Sequence, residues 1–190
     1  MKKGDIVEGE VISIAFPNKG KVQLEDRVAS VKGVIKGQKV RVRIKRSNKE
    51  RCQATLLEVV EKSDLENAVP KCPHFGLCGG CSYQTMSYDN QLKLKKEIIS
   101  DLLSPFTKEQ EIELEEIIRS PLDYGYRNKM EFSFGDEFKG GPLALGMHKK
   151  NSTYDIVYTS DCKIVNDDMT KVLRATVHYF RELNIPFYHK

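Results

Sequence analysis

The stretch KVRVRIKR, residues 39–46, alternates basic and apolar side chains along its length. Successive side chains of a β-strand point to opposite faces, so Val40, Val42 and Ile44 would share one face. The basic residues face the other way or end the run; they are Lys39, Arg41, Arg43, Lys45 and Arg46. The stretch therefore predicts a strand with an apolar face for a core and a cationic face for solvent or phosphate.

The segments on either side of this strand predict four more strands. Residues 5–16 alternate well enough for one strand, and PNKGK after them is typical of a turn. Residues 21–35 predict two short strands, and residues 50–62 predict a closing strand. Five short strands in about sixty residues predict a small OB-like barrel over residues 1–61, a fold that commonly binds oligonucleotides.

The positive charge of the chain belongs to this predicted barrel. Residues 1–61 hold 14 Lys and Arg against 8 Asp and Glu, whereas the remainder holds 17 against 19. A basic module indicates an anionic partner, and we expect RNA or DNA; the alternative is a basic but idle, solvated face. Phe16 is the only Phe, Tyr or Trp before Phe75, so binding would depend mostly on phosphates and would be strongly salt-sensitive.

The chain has none of the sequence features of a membrane or secreted protein. No apolar run is long enough to cross a bilayer, and the first residues lead into no signal-peptide core. We therefore expect a cytoplasmic protein without a membrane partner, and a monomer.

Three of the five cysteines lie in CPHFGLCGGCSYQ, residues 72–84. Clustered cysteines in a cytoplasmic protein are more often metal ligands or catalytic groups than disulfides. Cys72, Cys78 and Cys81 supply three thiolates, one short of the four usual for zinc or an iron–sulfur cluster. Cys162 is the predicted fourth ligand. Cys52 lies on a barrel strand as a bystander, and His74, a rival, sits in a cramped position between two ligands.

The spacing leaves the identity of the metal open. Zinc sites favour two short cysteine pairs with gaps of two to four residues. A gap of five residues, then two, then a remote cysteine resembles cluster ligation more. Three ordinary thiols in a loop remain the plain alternative.

Residues 62–190 predict an α+β domain, which makes the whole chain mainly β with an α+β second part. Helices are predicted over residues 87–104 and 167–184, and strands towards the end of residues 124–135 and within 141–150 and 152–162. The predicted apolar stripe of the first helix is Leu92, Ile98, Ile99 and Leu102. That of the second helix is Met169, Val172, Leu173, Val177, Phe180 and Leu183.

Several of these motifs together resemble the RNA (uracil-5-)-methyltransferases of the RumA/TrmA type. They are CPHFGLCGGCSYQ, the helix with QLKLKKE, YRNKMEFSFG, GMHKK, and DC at residues 161–162. The barrel resembles the TRAM module of that family, and the resemblance covers essentially the whole chain. It implies a [4Fe–4S] cluster on Cys72, Cys78, Cys81 and Cys162, in a central domain that binds RNA together with the barrel. It also adds Arg127 and Lys129 as RNA-facing residues; a structural ion pair with a carboxylate is the alternative for Arg127.

The chain departs from the family pattern at its end. Family members continue into a Rossmann-like domain that binds S-adenosylmethionine and carries the catalytic machinery, and this sequence stops at Lys190. We therefore expect the RNA-binding and cluster-binding part of an rRNA or tRNA uracil-5-methyltransferase, with rRNA preferred. S-adenosylmethionine would enter only through the further domain, and we expect no catalytic residue and no methyl transfer in the isolated chain.

Two rival functions come from other classes. One is a stand-alone RNA-binding protein with a structural zinc held by four cysteines. The other is a redox module whose cluster cycles between oxidation states.

Overall fold

The computed structural model describes residues 1–110 and 112–187, which form two compact units. The first unit contains Met1–Ala68 and Thr85–Arg119, and the second contains Val69–Gln84 and the chain from Ser120 onward. The long first helix thus groups with the barrel, because it contacts the first strand. The domain boundary predicted after residue 61 stays a prediction.

The first unit is built around a closed five-stranded barrel. Its strands are β1 (Ile6–Ala15), β2 (Lys19–Gln23), β3 (Val28–Lys32), β4 (Lys39–Ser47) and β5 (Cys52–Glu61). They pair in the order β1-β2-β3-β5-β4, and β4 closes the barrel against β1. All pairs are antiparallel except β3 with β5. The predicted mainly β and α+β class, with a five-stranded OB-like barrel in front, is confirmed.

The alternation that predicted β4 also describes its burial. Val40, Val42 and Ile44 are at most 1% exposed, while the basic residues between them point outward. Backbone packing inside the barrel is close. A Cβ atom added to Gly20 of β2 would lie 2.1 Å from a side-chain carbon of Val34, so the core requires glycine there.

Helix α1 (Tyr88–Gln110) begins where the sequence predicted. The Ser87 hydroxyl accepts a hydrogen bond from the Asn90 backbone N–H at 3.3 Å, which caps the first turn. Its buried residues are Leu94 and Ile98. The predicted core stripe was too broad, since Ile99 and Leu102 are 40% and 46% exposed.

The second unit has a three-stranded antiparallel sheet and one helix. The strands are β6 (Ser133–Asp136), β7 (Leu143–His148) and β8 (Ile156–Tyr158), and α2 (Asp167–Glu182) packs against β7. Leu145, Leu173 and Val177 form the core, with Phe132 and Tyr158 against it. The Asn166 side chain caps α2 by accepting from the Met169 N–H at 3.1 Å.

The core stripe predicted for α2 was too broad. Val172 and Leu183, predicted on the core stripe of α2, are 66% and 56% exposed, because only one narrow face of the helix meets β7. Phe134 of β6 is also 45% exposed, and its ring packs against Phe180 at 4.9 Å between centroids. Within the described part of the chain, no helix has the length and apolar character that a membrane span requires.

Candidate metal centre and nucleic-acid interface

Four cysteines line one cavity of the second unit, and they are the four that the sequence predicted as ligands. Cys72, Cys78, Cys81 and Cys162 surround a space of about 110 Å³. One water molecule needs roughly 10–15 Å³ on the same measure, so the cavity can take a larger guest. The fifth cysteine, Cys52, lies in β5 of the barrel and is 8% exposed. The fold therefore brings the remote Cys162 to the cysteine loop.

The cysteine loop is attached to the end of β7 through its backbone. The Gly79 N–H donates to the His148 carbonyl at 3.0 Å, and the Lys150 N–H donates to the Leu77 carbonyl at 2.6 Å. Gly80 follows with no side chain between the backbone and the cavity. A Cβ atom there would lie 3.4 Å from the Cys78 sulfur, which already accepts from the Gly80 N–H at 3.3 Å. The tighter position is Gly79, where an added Cβ atom would lie 3.3 Å from the His148 carbonyl oxygen.

Cys162 reaches the cavity from the turn that follows β8. The chain after it is held by the segment that precedes β6, where the Gly125 N–H donates to Lys163 and the Arg127 N–H donates to Ile164. This pairing also places the Arg127 side chain on the wall of the cavity. The same segment therefore positions both a thiol and a cation.

Burial keeps two of the thiols in their neutral form in the metal-free protein. It raises the pKa of Cys78, against the hydrogen bond from the Gly80 backbone. It also raises the pKa of Cys81, while the Gln84 side chain and the charge of Arg127 act in the opposite direction. Binding of a metal would therefore release protons from these thiols.

Two buried polar atoms on the cavity wall have no hydrogen-bond partner in the described structure. They are His74 Nε2 and Thr159 Oγ1. Gln84 is oriented by its amide oxygen, which accepts from the Cys72 N–H at 3.2 Å. A buried polar group without a partner costs about 1–3 kcal/mol, so the cavity suits a guest that carries hydrogen-bond acceptors.

The thiols share the cavity without forming a site for a metal ion. Among residues 1–110 and 112–187, no group of three or more His, Cys, Asp and Glu side chains is arranged to hold one. The four thiols that line the cavity nevertheless make up the donor set of a metal centre.

On the barrel, the basic face of β4 divides into two parts. In the first part carboxylates balance the charge. Arg41 donates to Glu8 of β1 from Nε at 3.0 Å and from Nη2 at 2.7 Å, and it also pairs with Glu58 of β5. These contacts, led by the hydrogen bond to Glu8, raise the pKa of Arg41. Lys39 pairs with Glu61 at 3.1 Å.

In the second part the charge is not balanced. Arg43, Lys45 and Arg46 are exposed and have no ion pair among the described residues. The register explains this difference, because Arg43 stands between Ile6 and Thr55, and Arg46 stands opposite Gln53. The uncompensated cations of β4 therefore lie near its end.

The remaining predicted RNA-facing residues belong to the second unit. Arg127 has no carboxylate partner among the described residues, so the alternative of a structural ion pair is not realised there. Its Nε donates to the Lys129 carbonyl at 3.3 Å. Lys129 is highly exposed and pairs with Glu131 at 2.8 Å.

Sequence reasoning missed two polar residues of the cavity. Gln84 ends the cysteine stretch, so its position next to the ligands was a usable signal. Thr159 lies on the turn after β8 and is 1% exposed, and nothing in its local sequence distinguishes it.

Comparison with curated proteins finds related RNA methyltransferases along the whole chain. An uncharacterized RNA methyltransferase of Caldanaerobacter subterraneus is 46% identical over 192 residues, which is 100% of this chain and 42% of the relative. A 23S rRNA (uracil(1939)-C(5))-methyltransferase of Legionella pneumophila is 29% identical over 82% of this chain and 35% of the relative. The chain thus spans about two-fifths or less of the length of these two relatives. No protein-family model matches the chain.

Among solved structures, the fold resembles the Pyrococcus abyssi tRNA (uracil-54, C5)-methyltransferase in complex with S-adenosyl-L-homocysteine. The TM-score is 0.64 at 22% identity, over 94% of this chain and 38% of that chain. At this identity the likeness concerns the fold.

Proposed function

The chain is related over its whole length to the amino-terminal part of RNA methyltransferases, and from this relationship we propose that it binds RNA and a [4Fe–4S] cluster as part of a uracil-C5 methyltransferase. The complete enzyme would transfer a methyl group from S-adenosylmethionine to C5 of a uridine, in rRNA by preference and in tRNA as the alternative. The described residues would deliver the RNA and would hold the cluster. The cytoplasmic location and the monomeric state predicted above belong to the same proposal.

One observation carries the cluster part of the proposal: four thiols from distant positions line one cavity. A chain of 190 residues with five cysteines has placed four of them together and left the fifth in the barrel. Cys72, Cys78, Cys81 and Cys162 would hold the cluster. When bound, it would cross-link the cysteine loop to the turn after β8 and could supply a redox-active centre.

The spacing of the cysteines and the size of the cavity favour a cluster over the zinc alternative. A zinc ion draws four ligands to one point at about 2.3 Å from each sulfur. A four-iron cluster is held by four cysteines spread around a larger body. The thiols here are separated by gaps of five and two residues and a remote position, and they line a cavity of about 110 Å³. Its unpartnered donors also suit the sulfur atoms of a cluster, because sulfur accepts hydrogen bonds.

The RNA part of the proposal depends on exposed cations. Arg43, Lys45 and Arg46 of β4 would contact phosphate, since no carboxylate among the described residues neutralises them. Arg41 and Lys39 belong to the same face but would have to share their charge with Glu8, Glu58 and Glu61. In the second unit, Arg127 and Lys129 would face the RNA.

Anaerobic purification with iron, sulfide and zinc analysis tests the proposal. We expect a brown protein with about four irons and four sulfides per chain. Cys162→Ser should lose most of both, because it removes one of four ligands. Cys52→Ser is the matched control and should keep them.

Two other outcomes of this experiment would contradict the proposal. One zinc per chain, without iron or sulfide, would replace the proposal with the stand-alone RNA-binding protein. Iron loading that survives in Cys162→Ser but fails in Cys52→Ser would overturn the ligand assignment.

A further inference from the structure

Two lysines face each other across neighbouring strands of the barrel. Lys19 of β2 is the direct register partner of Lys32 of β3, and Lys21 lies two residues along β2 on the same face. All three side chains are exposed, and none has an ion pair among the described residues. Like charges directly opposite each other destabilise a sheet. An anion bound on this face would relieve the repulsion between these lysines.

The surroundings of these lysines contain no acidic register partner. On the other side of β2, Lys19 pairs with Ala15 and Lys21 pairs with Ser13, both of β1. Ser30 of β3 stands opposite Lys21. Arg41 of β4 differs from these lysines, because its register partners on both neighbouring strands are glutamates. The barrel thus leaves positive charge unneutralised in a second place, on β2 and β3, in addition to the cations of β4.

An exposed aromatic residue follows Ala15, the register partner of Lys19, in the chain. Phe16 is in the turn between β1 and β2, three residues before Lys19, and it is 58% exposed. It is also the one Phe, Tyr or Trp in the first 74 positions of the chain. Stacking of a base on an aromatic side chain, with cations for the backbone, is how proteins bind single-stranded nucleic acid.

We propose that Phe16, Lys19, Lys21 and Lys32, the β2–β3 face, bind a single-stranded segment of RNA. A base stacks on the Phe16 ring, and the neighbouring phosphate lies between Lys19 and Lys32. A duplex would not serve, because its bases are already stacked on one another. The site matches the general preference of OB barrels for ligands at strands 2 and 3 and the adjoining turn. The inference rests on the proposed function, because it specifies how that RNA is held.

The aromatic contact is tested with the whole 190-residue chain and a short single-stranded RNA that carries 2-aminopurine. Phe16→Ala should weaken binding roughly 5- to 150-fold, the range that loss of one base–aromatic stack produces. Its salt dependence should not change, because no charge is lost. Phe138→Ala is the matched control, since Phe138 is 60% exposed and lies in the other unit. The change in 2-aminopurine fluorescence on binding should disappear in Phe16→Ala alone.

The phosphate contact is tested with the double variant Lys19→Gln/Lys32→Gln. The slope of log affinity against log salt should fall by about 0.7, because the one phosphate between the two lysines is no longer neutralised. Lys93→Gln/Lys95→Gln removes the same charge from the exposed side of α1 and should leave the slope near that of the unaltered chain. The thermal unfolding midpoint of Lys19→Gln/Lys32→Gln should stay level or rise, because a like-charge pair is removed.

The outcomes distinguish a failure of this inference from a failure of the proposed function. If the unaltered chain binds no RNA, the proposed function fails together with this inference. If it binds RNA, but both β2–β3 variants bind like their controls, only this inference is overturned. Equal binding of duplex and single strand would overturn it as well.

Discussion

Arg41 of β4 holds Glu8 of β1 with two hydrogen bonds, from Nε at 3.0 Å and from Nη2 at 2.7 Å. The two residues are direct register partners, and Glu58 meets the same guanidinium from β5. An alternating basic strand is therefore neutralised in its first half, at Lys39 and Arg41, and cationic from its midpoint, Arg43, towards its end. In the sequence, Arg41 and Arg43 look equivalent. In the structure, only Arg43 has a charge that no carboxylate among the described residues neutralises.

Arg43→Ala should weaken RNA binding more than Arg41→Ala. Arg43 has no carboxylate partner among the described residues, so its loss should reduce the salt slope by about 0.7–0.9. Arg41 is already paired, and its loss should lower the thermal unfolding midpoint slightly and change RNA affinity less. Binding titrations at several salt concentrations measure both slopes. Equal slopes in the two variants would contradict the ranking.

Thr159→Val tests the cavity without any metal. Thr159 is 1% exposed, and its hydroxyl oxygen is buried with no hydrogen-bond partner in the described structure. Removal of that group should leave the metal-free protein equally stable or stabilise it, by up to about 1–3 kcal/mol. Chemical unfolding of the metal-free chain measures this change, and Thr159→Ser, which keeps the hydroxyl, is the control. A destabilised Thr159→Val variant would mean that the hydroxyl has a partner.

The same pair of variants has a second readout in the iron-loaded protein. A hydrogen bond to a cluster sulfur stabilises the reduced, more negative state, so its loss should lower the reduction potential. Thr159→Val should therefore have a lower potential than the unaltered chain, and Thr159→Ser should stay close to it. Spectroelectrochemical titration makes the measurement. Identical potentials in Thr159→Val and Thr159→Ser would place the hydroxyl outside the shell of the cluster.

Leu173→Ala should destabilise the second unit by about 2–5 kcal/mol, because Leu173 is buried at 2% exposure against β7. Val172→Ala is the matched control on the same helix. Val172 is 66% exposed, so the free energy of unfolding should change by about 0.5 kcal/mol or less. Urea unfolding followed by circular dichroism compares the two. Similar losses of unfolding free energy in both variants would mean that Val172 also packs in the core.

The sequence predicted best where a pattern is local. The period of two in residues 39–46 was enough for β4, because neighbouring side chains of a strand must face opposite ways. The spacing of Cys72, Cys78 and Cys81 was enough to predict that their thiols lie together, and they line one cavity. The start of α1 at Ser87 followed from side-chain chemistry at a helix end.

The prediction of core stripes was weaker, for a physical reason. Helical spacing shows which residues share a face, but not how wide a face the partner covers. Val172 and Leu183 are apolar and correctly spaced, yet β7 reaches only the side of α2 that carries Leu173 and Val177. The width of a buried stripe depends on the neighbouring element, which no local pattern describes.

By itself, the sequence determined the strands of the barrel, the loop that carries three thiols and the overall basic charge of residues 1–61. Only the tertiary structure decided which of those charges are free. The register of β4 sets Glu8 and Glu58 against Arg41, and the register of β2 with β3 sets Lys19 against Lys32. Tertiary packing also brought Thr159 and Cys162 to the cysteine loop. Electrostatic and hydrogen-bond partners depend on distance in space, and the pairing of strands far apart in the chain sets that distance.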